Sequence, residues 1–251
     1  MLNRRQFNRQ LLGAIMSYSL LDSLFATNAI PAKLAPLTEH WAKDLQEICQ
    51  DLRLNSITPD VWQDHVENLF QKIELKELLQ FIDFERLIKG MTFPDLGVAT
   101  KPVVFPRLEG LPARTVFTKK IFGMKKGRAI IPHGHSNMAS AHLVLKGDFH
   151  MRHYEKVGEL DGHLLLRPTI DRIADAGSSS SISDERDNVH WFVANSETAF
   201  TFDVIMLDLK GKPYDIQNVD IQAGEPQPDG TIRAKILDVE TALKKYGKQH
   251  H

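Results

Sequence analysis

From Pro94 onward, prolines and glycines cut the chain into short runs rich in β-branched and aromatic residues, and no helical stripe comes between them. The runs are Thr115 to Phe122, Arg128 to Ile131, His142 to Leu145, Phe149 to Val157, His163 to Leu166, Val189 to Val193 and Thr198 to Leu207. Many short strands without intervening helices favour a sandwich or barrel over a parallel α/β sheet. Lys146-Gly147-Asp148 reads as a turn between two of them. Two more strands follow Pro213, near Val219 to Gln222 and Thr231 to Ile236, and a helix from about Val239 to Tyr246 closes the chain. The absence of an internal repeat of the whole unit predicts one barrel and not two. Gly177 to Ser181, with its four consecutive serines, reads as a flexible loop. It is not a phosphate cradle, because no helix pattern opens behind it and no lysine stands where such a loop needs one.

Ahead of this region the periodicity is helical. Trp41, Leu45, Ile48 and Leu52 recur three and four apart, as do Val61, Val66, Leu69 and Ile73. Thr58-Pro59-Asp60 is a helix start: the fixed φ of proline suits the first helical position, and Thr58 can cap the free N–H groups. A third helix is predicted from Leu75 to Lys89, stopping before Gly90. Stripes of this kind belong to a layer packed on a sheet. The expected fold is therefore mainly β, a single jelly-roll-like barrel with an N-terminal helical layer. The expected division is residues 1–29, residues 30–93 as linker and helical segment, and residues 94–251 as barrel with its C-terminal helix.

Residues 1–29 have the shape of an export signal. Asn3-Arg4-Arg5-Gln6-Phe7-Asn8-Arg9 precedes the apolar stretch Leu11 to Leu21, and Ala26 and Ala29 offer small residues for cleavage. The adjacent arginines resemble the twin-arginine type, whose machinery carries proteins already folded; an amphipathic N-terminal helix is the alternative. The apolar stretch is too short to cross a bilayer, so no stable membrane insertion is expected after cleavage. Removing residues 1–29 moves the formal charge from −1 to −3, which argues against nucleic acid as a partner. A periplasmic or otherwise exported location follows. Cys49 is the single thiol, so no intrachain disulfide can form, and its helical setting assigns it to packing.

The chemistry is concentrated in His133-Gly134-His135. Residues two apart on a strand project to one side, close enough to share an ion. Imidazole suits iron, zinc, copper and nickel, whereas calcium and magnesium want oxygen. Five residues separate Gly127 from His133, and Gly147 stands twelve positions after His135. This frame resembles the first sequence motif of the cupin superfamily. His190, within Asp187-Asn188-Val189-His190-Trp191-Phe192 and followed by Asn195, resembles the histidine of the second motif, although the usual proline and glycine ahead of it are missing. The resemblance covers about Thr115 to Leu207.

Many cupins carry a glutamate ligand five residues after the second histidine, where this chain has Ser140. The implied ligand set is His133, His135 and His190 with no carboxylate, so a bound divalent ion keeps its full charge and open positions. That set is similar to the thiol dioxygenases, in which a substrate thiolate binds iron and supplies negative charge. The resemblance implies Fe(2+) as cofactor, with Zn, Mn, Ni or Cu as other divalent candidates, and a small-molecule thiol and O2 as partners. It also implies Asp203 as a residue that orients a metal histidine or substrate; a strand-edge aspartate facing solvent is the competing reading. His142 is a fourth ligand, an acid or base beside the ligands, or a hydrogen-bonded core residue. Tyr154 or Tyr214 can donate to substrate, and Arg152 or Arg128 can take a carboxylate. Strand alternation places Phe149, Met151 and His153 inside and Arg152 and Tyr154 outside. Rival readings are a cupin ring-cleaving dioxygenase, isomerase or hydrolase, and a non-catalytic periplasmic binding protein.

Overall fold

The helical stripes and the short strands fold onto each other in the computed structural model, which describes residues 36–249; the expected export signal lies outside the described residues. Among the described residues four helices come first: α1 (Pro36–Arg53), α2 (Pro59–Lys72), α3 (Leu75–Phe81) and α4 (Phe84–Ile88). Thr58 precedes α2 in extended conformation, but its hydroxyl bonds the Asp60 carboxylate and leaves the helix N–H groups uncapped. The helix expected over Leu75 to Lys89 is broken at Asp83, which is left-handed with φ 52°. Aspartate tolerates that conformation, and the break lets Phe81, Ile82 and Phe84 all point into the core.

Eleven strands follow. A five-stranded sheet runs β1 (Ala99–Pro102), β2 (Thr118–Lys125), β9 (Thr198–Met206), β4 (Ala139–Lys146) and β7 (Ser179–Ile182) in spatial order. The remaining six close on themselves in the order β10 (Asp215–Pro226), β11 (Ile232–Leu237), β6 (His163–Ala174), β5 (Phe149–Leu160), β8 (Val189–Ala194) and β3 (Ala129–Ser136). Every pairing between these strands is antiparallel. The final helix, α5 (Val239–Tyr246), seals one flank by burying Ala242 and Tyr246 against Trp191 and Val193. The chain is thus a mainly β barrel with a helical N-terminal layer, as its alternating runs require.

Alternation along β9 and β4 divides the core in two. Phe200, Phe202, Val204 and Met206, with Ala139, Ala141, Leu143 and Leu145, face the helices and meet Trp41, Leu45, Trp62 and Phe70. Phe202 alone lies within 6.3 Å of the rings of Trp41, Phe70 and Phe105, and truncating such a side chain costs about 3–5 kcal/mol. The opposite faces of the same strands present Ser140, His142, Thr201 and Asp203 to the interior.

Strand β7 was not expected. Its serines pair with β4 from Ser140 to Leu143, so the tetraserine stretch is a sheet edge and not a loop. No apolar alternation marks it because α2 covers it with polar groups: Ser181 bonds Glu67, and the nearby Ser183 Oγ donates to Gln63 Oε1 at 2.6 Å. At the β4–β5 turn Gly147 has φ 73°, and a Cβ there would lie 2.7 Å from the Thr198 carbonyl.

Candidate metal centre

Strand β3 carries His133 and His135, and β8 carries His190. The ladder sets His133 directly opposite His190, with a register shift between Ile130 and His133 that turns the histidines inward. The Nε2 atoms of His133 and His190 are 3.1 Å apart, and those of His135 and His190 are 3.4 Å apart. One ring nitrogen from each of the three lies within 4.8 Å of the others. His135 and His190 are buried and His133 is half-buried, so the site opens toward His133.

His133 Nδ1 donates to the Ile131 carbonyl at 2.7 Å, and His135 Nδ1 lies 2.8 Å from Met138 Sδ. With Nδ1 as the donor in both rings, each presents a lone pair at Nε2. Burial is the main cause that pushes the His133 pKa down to about 4; the Ile131 hydrogen bond opposes it and the nearby His142 adds to it. His135 and His190 lie well below the usual imidazole range, again through burial first and neighbouring imidazoles second. The three rings are therefore neutral at neutral pH, the form that binds metal.

Converging lone pairs repel unless a cation sits among them. Two nitrogens bound at about 2.1 Å and separated by about 90–109° at the ion are about 3.0–3.4 Å apart, which is the spacing His190 makes with His133 and with His135. The group can hold a divalent metal ion, and the donor set of three nitrogens without a carboxylate suits a transition metal over calcium or magnesium. Ser140, at the position of the missing glutamate, is buried on β4 opposite Ile205 and Ile182.

Asp203 and His142 meet in the interior. They are cross-strand partners on β9 and β4, and His142 Nδ1 donates to Asp203 Oδ2 at 2.7 Å with both side chains 2% exposed. Asp203 is not at a solvent-facing edge, and the imidazole it holds is His142. The ring of His142 lies 4.9 Å from that of His190, and its Nε2 is buried with no protein partner. The row continues on both sides, with Lys120 opposite Asp203 on β2 and Ser180 opposite His142 on β7, and all four are buried.

Other candidates part company with the site. Arg152 stacks over the Trp191 ring at 4.3 Å and bonds His150, on the outer face of the barrel as alternation predicts. Arg128 lies at the β2–β3 turn, bridged to Lys248. Tyr154 is a correction: it was expected outside but packs with Leu164, Leu166 and Val189, because the β5–β6 register shifts between His153 and Tyr154. His153 is inside, as alternation required, and fully buried opposite His190, yet neither ring nitrogen has a protein partner. Asn188, two residues before His190, carries a role that the motif alone does not reveal. Its amide donates to the His135 carbonyl at 2.8 Å and to the Ser183 carbonyl at 3.0 Å, and accepts the His135 N–H at 3.4 Å.

No family profile and no curated protein matches the sequence. Among solved structures the chain is similar to procruciferin, an 11S globulin from Brassica napus, with TM-score 0.35 and 13% identity over 51% of this chain and 28% of that one. It is also similar to KdgF from Halomonas sp., with TM-score 0.33 and 19% identity over 50% of this chain and 91% of that one. Pumpkin seed globulin matches with TM-score 0.35 and 13% identity over 51% and 29% of the two chains. The chain spans less than a third of the length of either globulin. Likeness at this level says nothing about activity. The fold assignment, a mainly β barrel with a helical layer, stands on strand pairing, and the three histidines form a group that could hold a divalent metal ion.

Proposed function

We propose that this protein is a metal-dependent cupin oxidoreductase that binds Fe(2+) through His133, His135 and His190 and uses O2 to oxidise a small thiol to its sulfinate. The observation that carries the reading is the clustering of three neutral imidazoles, two buried and one half-buried, with no carboxylate among them. An iron ion held by these three histidines would supply the redox chemistry for adding O2 to a thiolate. A thiolate brings the negative charge that the protein side chains omit.

The chain's own residues bind, orient and exclude water. His133 and His135 are held in one tautomer by Ile131 and Met138. Asp203 fixes the His142 ring with Nε2 free on the side of His190, where it hydrogen-bonds substrate and moves a proton at that atom. Phe192, packed against both His142 and His153, keeps bulk water from the inner side. An exported, periplasmic protein folded before transport also fits a reaction whose metal is acquired in the cytoplasm.

Protein loaded with Fe(2+) is expected to consume O2 with cysteine, cysteamine or a peptide with N-terminal cysteine, the product gaining both oxygen atoms. Iron demonstrably bound with no O2 uptake across that panel would remove the thiol reading.

A further inference from the structure

The stretch between β7 and β8 joins the helical layer to the metal strand through an unbroken series of hydrogen bonds. Gln63 on α2 is fully buried and accepts from Ser183 Oγ at 2.6 Å, while its Nε2 donates to the Arg186 carbonyl at 3.4 Å. Ser183 Oγ also accepts the N–H groups of Glu185 and Arg186 at 3.0 and 3.3 Å, and Ser183 N–H donates to the Arg186 carbonyl at 3.0 Å. The chain from residue 183 to 188 is thereby folded into a knuckle around one hydroxyl. At its far end the Asn188 amide spans from the Ser183 carbonyl to the backbone of His135.

The contact with His135 has the form of a sheet rung. The β3–β8 ladder ends at Gly134 opposite Val189, and Asn188 then uses its side-chain carbonyl and amide to pair with the N–H and C=O of His135. Its Oδ1 lies 2.8 Å from where a Cβ on residue 134 would be. The glycine between the two histidines is what lets the amide close on the strand. Gly134 has no positive φ, so room for Asn188, and for Val189 Cγ2 at 3.0 Å from the same point, is its reason for being glycine.

We infer that Asn188, pinned through Ser183 to Gln63, is a positioning residue for the metal centre, and that the helical layer helps set the metal affinity of the barrel. The inference rests on the metal reading above. Asn188 stands two residues before His190 and grips His135, so it fixes the separation of ligands from two strands. Losing it lets β3 and β8 splay where 3.1 and 3.4 Å spacings must hold. Residues that orient metal ligands in this manner typically change affinity about 10–100-fold when removed.

The test uses the full chain with Co(2+) as the probe, read by its visible absorption and by competition with a chelator. Asn188→Ala is expected to weaken binding at least about tenfold and to alter the Co(2+) spectrum. Gln63→Leu, distant from the ligands, is expected to act in the same direction by a smaller factor. Arg186→Ala, which removes only the exposed ion pair to Asp64, is expected to leave affinity unchanged. Wild-type affinity and spectrum in Asn188→Ala overturn the proposal, as does equal weakening in Arg186→Ala. Backbone hydrogen exchange of the apoprotein decides the case if wild type takes no metal, an outcome that removes the metal reading by itself. Protection at His135 is expected to fall in both Asn188→Ala and Gln63→Leu while protection at Ala141 holds, and unchanged protection at His135 overturns the clamp.

Discussion

Removing the carboxylate of Asp203 is expected to be among the costliest single changes in the barrel. Asp203 is 1% exposed and is the acceptor for the buried His142 Nδ1–H. It also stands directly across from Lys120, itself 1% exposed, whose charge it favours. Asp203→Ala leaves a buried ammonium without this counter-charge and a ring N–H without an acceptor, for which about 3–5 kcal/mol is expected. Asp203→Asn keeps an oxygen toward His142 and loses only the charge. A charge-assisted hydrogen bond exceeds a neutral one by about 1–2 kcal/mol, so the asparagine variant should recover more than half of the loss. Urea unfolding of the apoprotein at neutral pH, followed by tryptophan fluorescence, measures both. A double-mutant cycle with His142→Leu should give a coupling of about 1–3 kcal/mol. A cost below about 1 kcal/mol for Asp203→Ala, or equal costs for the alanine and asparagine variants, would refute the buried-pair argument.

Metal itself should stabilise the fold: Co(2+) at a hundred times its Kd adds about 2.7 kcal/mol, seen as a rise in Tm that His190→Ala abolishes. Burial pushes the Lys119 ammonium down from 10.5 to about 8, and Lys120 moves in the same direction. Between about pH 8 and 10.4 these two lysines hold more protons in the unfolded chain than in the folded one, so their contribution to stability should rise with pH across that window. The buried Cys49 thiol, which burial pushes up to about 12, makes an opposing contribution. Lys119→Met should flatten part of that rise, and an unchanged slope in its unfolding midpoints counts against the assignment. Tyr246 is fully buried, donates to Asp220 Oδ1 at 2.6 Å and accepts the Gln222 N–H at 2.8 Å. Tyr246→Phe should therefore lower stability by about 1–3 kcal/mol, measurable by thermal melting as about 2–4 °C per kcal/mol.

Much of this structure was legible because the relevant physics is local. Alternation put His133 and His135 on one common side of their strand and His153 on the inward face, and the shift from helical to strand periodicity near Pro94 separated the helical layer from the barrel. What escaped had no local signature. Tyr154 turned inward through a register shift between two strands, and Asp83 broke a helix whose pattern ran straight through it. Strand β7 is made of serines, which alternate nothing apolar; only the β4 edge and the polar face of α2 make it a strand.

The sequence by itself determined which side chains can bind a transition metal and that His133 and His135 share one side of a strand, since side-chain chemistry and a period of two need no partner. The tertiary structure alone decided that His190 reaches the early pair, that Asp203 answers His142, and that Asn188 bridges Gln63's layer to His135. Those relations join residues dozens of positions apart, and only the ladder pairings of a closed barrel bring them within hydrogen-bonding distance.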